Sequence, residues 1–254
     1  ITEDAKNLDK TVGVIMTYNC GHLLEETLHN LPAGVFDEVI ISDDGSEDRN
    51  MVKDIGEKFG LKVFLHEHGG YGSNLRNGLA KAIELDGEYV VEIHGDGQFD
   101  PSISRMAIDK MKQENLDFLI GSRFTKTSSP LRDGMPLVRY LANIGLSFIE
   151  RVVLRIPWSE YHPGFRVYRR RFVEEFALVW GRGKVASDYL FSFQIIAFAS
   201  WVKARCGEVP VRANYHKEHT SVGYIRATRN SFQEMGVLFL YILAKLGIKN
   251  TIFK

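Results

Sequence analysis

The feature that most constrains this chain is a regular alternation in its first half. Thr11-Val12-Gly13-Val14-Ile15-Met16, Glu38-Val39-Ile40-Ile41-Ser42, Lys62-Val63-Phe64-Leu65, Tyr89-Val90-Val91-Glu92-Ile93 and Asp117-Phe118-Leu119-Ile120 read as short buried strands. Between them apolar residues recur at helical spacing, as in Leu23, Leu24, Thr27, Leu28 and Leu31, then Met51 to Phe59, then Leu75 to Leu85. Strands alternating with helices imply an α/β fold, with a mostly parallel sheet and helices on both faces. In such sheets ligands sit beyond the carboxyl ends of the strands. Tyr18-Asn19, Asp43-Asp44, His66 to Gly72 and His94 to Asp100 are therefore predicted to share one rim.

The second half is less regular. Pro136 to Ile156 reads as a long helix, with Leu137, Tyr140, Leu141, Ile144, Phe148, Ile149, Val152 and Val153 interleaved with Arg139, Arg151 and Arg155. Phe165 to Tyr168 suits a short strand, Tyr189 to Trp201 a helix and Val202 to Pro210 another strand. The expected organisation is one catalytic domain over 1–224 and an amphipathic helical segment over 225–254. The longest apolar run, Met235 to Ala244, is about half the ~20 residues that cross a bilayer. With Phe232, Phe239, Tyr241, Leu243 and Leu246 beside Arg226, Arg229, Lys245 and Lys249, it suits a helix lying on a membrane or another subunit, or packed on its own domain.

Charge narrows the partners. Lysine plus arginine number 32 and aspartate plus glutamate 32 among 254 residues, so no global field favours nucleic acid and charge recognition must be local. Cys20 and Cys206 lack metal-ligand spacing and are expected to be free thiols in a reducing, cytoplasmic setting. The opening Ile1-Thr2-Glu3-Asp4 has neither the basic nor the apolar region of a signal peptide.

Three constellations carry chemistry. In Ser42-Asp43-Asp44-Gly45-Ser46 the paired carboxylates can accept hydrogen bonds from a base N–H and from ribose hydroxyls, while Gly45 lets the backbone turn beside a ligand; the same residues also make ordinary surface turns. In His94-Gly95-Asp96-Gly97-Gln98-Phe99-Asp100, side chains two apart can converge on one ion, and Asp96, Gln98 and His94 suit Mg²⁺ or Mn²⁺. Such an ion would neutralise a diphosphate leaving group. Gly69-Gly70-Tyr71-Gly72-Ser73-Asn74-Leu75-Arg76 opens a helix, where Gly70, Gly72 and Arg76 are candidates for an anion, or for a tight structural turn. It does not match the dinucleotide fingerprint G-x-G-x-x-G.

Taken with Thr17-Tyr18-Asn19, Gly121-Ser122-Arg123, Gly164-Phe165-Arg166 and Glu208-Val209-Pro210, these motifs make the chain resemble the family 2 glycosyltransferases, and within them the polyprenyl- and dolichyl-phosphate sugar synthases, from about Thr11 to Ser221. The resemblance implies a GT-A fold, a nucleoside diphosphate sugar donor (UDP- or GDP-sugar) and inversion at the anomeric carbon. It implies that Thr17, Tyr18, Asn19, Asp43 and Asp44 hold the nucleoside and that Asp96 and Gln98 hold the metal. There are departures. The usual Pro-x-Tyr-Asn-Glu reads Met16-Thr17-Tyr18-Asn19-Cys20, the usual Asp-x-Asp reads His94-Gly95-Asp96, and Asp-x-Thr-Ser-Gly-Phe is replaced by Glu160-Tyr161-His162-Pro163-Gly164-Phe165.

The acceptor decides which further residues matter. A lipid phosphate is already an oxyanion and needs cations to place it, for which Arg123, Arg139 and Arg166 are candidates. A hydroxyl acceptor needs a base, for which Asp188 and Glu160 compete, Asp188 also suiting a helix cap. His216 and His219 are candidates to reach the diphosphate from a loop. The expectation is transfer to a polyprenyl phosphate by an enzyme held peripherally at the cytoplasmic face of a membrane, partly through Pro136 to Ile156 and Phe232 to Leu246. Two other readings are a sugar-nucleotide-binding domain without turnover, since His94 breaks the acidic pair, and a nucleotidyltransferase, for which Cys20-Gly21-His22 is not the basic, Gly-rich loop required.

Overall fold

The computed structural model describes residues 9–125, 130–183, 185–215 and 224–254. The chain opening and the candidates His216 and His219 lie outside the described residues. Strand β1 (Thr11–Thr17) is buried along its whole length, as expected of a strand covered on both faces. Around it the sheet has seven strands in the order β3-β2-β1-β4-β6-β5-β7, with β2 at Glu38–Asp43, β3 at Lys62–Leu65, β4 at Tyr89–His94, β5 at Phe118–Ser122, β6 at Arg166–Arg169 and β7 at Cys206–Pro210. Strands β1 to β4 are mutually parallel, β5 is parallel to β7, and β6 runs antiparallel between β4 and β5. The α/β class and the parallel first half are as the alternation requires.

Helices α1 (Gly21–His29), α2 (Arg49–Phe59) and α3 (Tyr71–Glu84) fall in the gaps that the periodicity marks. Two further helices, α4 (Ser104–Gln113) and α6 (Arg170–Trp180), were not anticipated. Their buried residues, Ala107, Ile108 and Met111 in one and Phe172, Val173, Phe176 and Val179 in the other, nonetheless keep helical spacing. One core fills the face covered by α3, α6 and α7 (Leu190–Trp201), and the other the face covered by α1, α2 and α4. The C-terminal helix α8 (Tyr224–Lys245) is not a detached unit: Val237, Leu238, Tyr241 and Ala244, with Ile252 and Phe253 beyond it, join the first core. Cys20 and Cys206 are free thiols.

Helix α5 (Leu137–Leu154) carries its apolar stripe outward. Its buried side chains are Ser147, Glu150 and Leu154, whereas Leu137, Val138, Leu141, Ile144, Phe148, Ile149 and Val152 are exposed, Phe148 at 65%. Helix α8 is two-sided: it buries Glu234 beside Val237, Leu238, Tyr241 and Ala244 and exposes Phe232, Phe239 and Ile242. Among the described residues no helix is long and apolar enough to cross a membrane.

A second unexpected feature lies at the centre of the sheet. Glu92 on β4 has no exposure and sits opposite Arg166 in the β4–β6 register. Arg166 Nη1 lies 3.6 Å from its carboxylate, and the hydroxyls of Tyr71 and Tyr168 donate to it. Burial opposes the charge, but Arg166 and His94 outweigh it and hold the Glu92 carboxyl at about 2. Because that is below its ordinary 4.5, the pairing contributes fully above about pH 4.5 and is lost as the pH falls towards 2. Glu92→Gln should lower the unfolding free energy by about 3–5 kcal/mol, because it leaves Arg166 buried without its counter-charge. Urea titration at neutral pH measures the loss, and the gap between variant and wild type should narrow as the pH falls below 4.5.

Candidate active site

The carboxyl ends of β1 to β4 meet at one rim, and the loops leaving them are fastened to one another. Asp43, at the end of β2, is fully buried; its Oδ2 accepts from the hydroxyls of Thr17 and Ser46 and its Oδ1 from the Ser46 amide at 2.9 Å. Asn19, with φ 51°, donates its amide to Ser46 Oγ and accepts from the Glu47 amide. Asp44, 2% exposed, accepts from the Gly69 and Gly70 amides at 2.9 and 3.0 Å and pairs with His68 Nδ1 at 2.9 Å. The acidic pair expected to grip the nucleoside is thus engaged by protein donors and builds the walls of the site. Gly45 has φ +71°, and a Cβ there would come 2.7 Å from the His68 amide, so the loop after β2 lies on the backbone after β3.

Those fastenings present two aromatic rings outward. Tyr18 and His68 stack with centroids 4.5 Å apart and planes 17° apart, and both are about half exposed. Such a stack offers the π face that a nucleobase takes. The sequence places His68 on the rim within His66 to Gly72, but nothing local in His66-Glu67-His68 shows that it meets Tyr18.

Of the two readings of the glycine-rich loop, an anion site or a tight structural turn, the local packing favours the second. A Cβ on Gly70 would lie 2.8 Å from the Ser187 carbonyl, and one on Gly72 2.6 Å from the Asp188 carbonyl. Ser187 also accepts from the Ser73 amide in the first turn of α3. Close approach is therefore to the chain before α7, which takes an amide that an anion would have used. Arg76 likewise donates to the Ala186 carbonyl at 3.2 Å and lies over the Phe191 ring. This places Asp188 on the wall of the rim; it is exposed, and its Oδ1 accepts from the Leu190 amide as a cap.

Beyond β4, Asp96 and Gln98 flank Gly97, and Asp96 Oδ1 accepts from the Gln98 amide at 2.9 Å. Both side chains are half-buried at the rim. A carboxylate and a carboxamide are hard oxygen donors and fit Mg²⁺ or Mn²⁺. His94, expected with them, turns its Nε2 to Glu92 at 3.4 Å and packs edge-on against Tyr71 and Phe99. A Cβ on Gly164 would meet its Nδ1 at 2.8 Å, so the ring is held between Glu92 and the loop before β6.

The arginine candidates part company. Arg166 is 2% exposed and committed to Glu92. Arg123, beyond β5, is 7% exposed; its amide and Nε donate to the two oxygens of Glu160, and Nη1 donates to Tyr215 at 2.7 Å. Glu160, a candidate base, is fully buried in that clamp. Arg139, in the first turn of α5, is half-buried and close enough to Tyr215 to influence its phenol.

Glu160→Gln should cost about 3–5 kcal/mol of stability by leaving Arg123 uncompensated, so a loss of activity in that variant accompanies a loss of fold. Calorimetric melting of Glu160→Gln beside the solvent-facing Asp188→Asn, which should change stability by no more than the ~1 kcal/mol of a cap, separates the two carboxylates. An unchanged melt for Glu160→Gln would refute the clamp.

Residues 14–176 match the model of glycosyl transferase family 2. A UDP-N-acetylglucosamine–dolichyl-phosphate N-acetylglucosaminyltransferase of Methanococcus voltae is 25% identical over 250 residues, covering 92% of this chain and 95% of that protein. An uncharacterised protein of Methanocaldococcus jannaschii is 26% identical over 242 residues, 94% of each chain. Among solved structures, glucosyl-3-phosphoglycerate synthase of Mycobacterium tuberculosis in complex with Mn²⁺, UDP and glucosyl-3-phosphoglycerate superposes with a TM-score of 0.65 at 16% identity, over 95% of this chain and 81% of that one. That likeness establishes the GT-A fold, and the family match, which spans more than half of the chain, shows that this protein belongs to glycosyltransferase family 2.

Proposed function

We propose that the chain transfers a sugar from a UDP-sugar to a polyprenyl phosphate at a membrane surface, using Mg²⁺ or Mn²⁺. The observation that carries the reading is the outward apolar face of α5 and α8, because it begins at the rim: Tyr140, in the first turn of α5, stacks on Phe124 just beyond β5. The dolichyl-phosphate enzyme at 25% identity supports the same donor and acceptor classes. A peripheral helix pair would bring a lipid headgroup to the rim while the sheet stays in water.

In this reading the nucleoside base lies on Tyr18 and His68, with His68 fixed by Asp44. Asp96 and Gln98 would hold the metal, which when bound neutralises the diphosphate as it leaves. The acceptor phosphate oxygen forms its bond to the anomeric carbon as the bond to the diphosphate breaks, from the opposite face, so configuration inverts. No proton has to move, and the residue required is a cation that places the phosphate. Arg139 is suited to this by its half-buried position in the first turn of α5, next to the Tyr140 that stacks on Phe124, and Arg123 fixes Tyr215.

Asp96→Asn should lower transfer to a short-chain polyprenyl phosphate at least about a hundredfold, since a metal supplies several kcal/mol of charge stabilisation. Full activity of that variant, or of wild type in excess chelator, removes the metal from the mechanism. Arg139→Ala should lower kcat/KM for the lipid phosphate about 10- to 100-fold, the worth of a charged hydrogen bond, with UDP binding unchanged by calorimetry. Leu141→Asp with Phe148→Asp should abolish co-sedimentation with liposomes while circular dichroism stays native. Sugar transfer to a soluble alcohol, lost in Asp188→Asn and without lipid product, would give the decision to a hydroxyl acceptor.

A further inference from the structure

The two carboxylates that α5 and α8 bury converge on one histidine. Glu150, from α5, is fully buried; Glu234, from α8, is 2% exposed; His162, from the loop before β6, has a side chain 9% exposed. One ligand atom from each lies within 4.8 Å of the others. His162 Nε2 is 3.2 Å from Glu150 Oε2 and Nδ1 is 3.4 Å from Glu234 Oε1, yet both Glu150 oxygens, Glu234 Oε1 and His162 Nε2 are buried without a hydrogen-bond partner. Close approach at angles that make no hydrogen bond is how ligands of a common ion face each other. An imidazole gives one ion one nitrogen; Nε2 at 3.2 Å from Glu150 has the roughly 3.0 to 3.4 Å spacing of neighbouring ligands with bonds of about 2.1 Å, while Nδ1 faces Glu234 and Tyr189.

Charge leads to the same conclusion. Among the described residues neither Glu150 nor Glu234 pairs with a lysine or arginine. Two ionised carboxylates facing one imidazole would hide net negative charge whichever form the imidazole takes. A divalent cation on two carboxylates and a neutral imidazole leaves none, which removes a large cost of burial. The Tyr189 hydroxyl, 3.2 Å from His162 Nδ1, supplies the outer hydrogen bond that a metal-binding imidazole uses to fix its ring.

We propose that Glu150, His162 and Glu234 bind a first-row divalent cation of the Zn²⁺–Mn²⁺ class, a structural site that shares no residue with the Asp96 loop. Imidazole and carboxylate together suit these ions. The site joins both apolar-faced helices to the loop that carries Glu160, and the His162 carbonyl itself accepts from Arg123 at 3.3 Å. The ion therefore fixes the wall of the rim from behind.

Chelator-stripped wild type, Asp96→Asn and Glu150→Gln/Glu234→Gln are compared by equilibrium dialysis against Zn²⁺ and Mn²⁺ with elemental analysis, and by thermal melting with and without metal. Asp96→Asn should retain one tightly held ion per chain and lose several degrees of Tm on stripping, and the double variant should lose that ion and that shift. Stripped Asp96→Asn that is folded by circular dichroism and takes up neither ion in stoichiometric amount overturns the proposal, and it does so even if the double variant does not fold. Equal uptake by the double variant and wild type also overturns it. Failure of the donor-site metal has its own signature, since Asp96→Asn and wild type would then bind the same single ion.

Discussion

Glu92 is the group on which most of the architecture depends. A carboxylate with no exposure in the middle of a sheet is costly unless its lone pairs and charge are answered. The answer comes from four places: Arg166 across the β4–β6 register, Tyr168 two residues along β6, Tyr71 at the start of α3, and His94 two residues on along β4. These contacts fix an antiparallel strand against a parallel one, seat the N-terminus of α3, and turn His94 inward where the rim loop begins. The Asp96 loop therefore springs from a strand whose end is held by electrostatics rather than by apolar packing alone.

The rim itself is rigidified in the same currency. Asp43, Asp44 and Asn19 spend their hydrogen bonds on neighbouring loops, and Asp48 Oδ2 accepts from the Gly21 amide at the start of α1. Placing the loops in advance spares a bound donor the entropy of ordering them. The Tyr18–His68 stack is exposed because Asp44 and Gly45 leave it no other place.

How far this could be read from the sequence follows from the range of the interactions. Strand runs and the position of the rim are local patterns, and β1 to β5 lie where Val, Ile and Leu cluster. The division of labour inside Asp43-Asp44 is not local, because a carboxylate that ligates and one that ties loops have the same spacing, and the deciding partners, His68 and Gly69, are more than twenty residues away. Likewise Gly70 and Gly72 suit a phosphate or a close chain, and only the fold brings Ser187 to them. Glu150 and Glu234 are not marked for a third reason: periodicity finds the apolar stripe of a helix and does not show which polar residue off that stripe meets a buried partner.

Helices α5 and α8 both expose large apolar side chains, and the shared exposure is informative. Exposing Leu137, Leu141, Ile144, Phe148 and Val152 while burying Ser147 and Glu150 forfeits about 1.5–3 kcal/mol for each large side chain that could have been buried. A helix that needed only to fold would have turned the other way. Two neighbouring helices that both expose large apolar side chains offer apolar surface of the kind that, where contiguous, marks contact with a membrane or another protein. The inward carboxylates lie away from the outward stripe, where Glu150 and Glu234 face His162 beside the buried Leu154, Val237 and Leu238. If an ion joins them, the apolar surface is carried on a rigid support, and a lipid headgroup held by that surface meets the rim in a fixed orientation, which is the condition for in-line attack on the anomeric carbon.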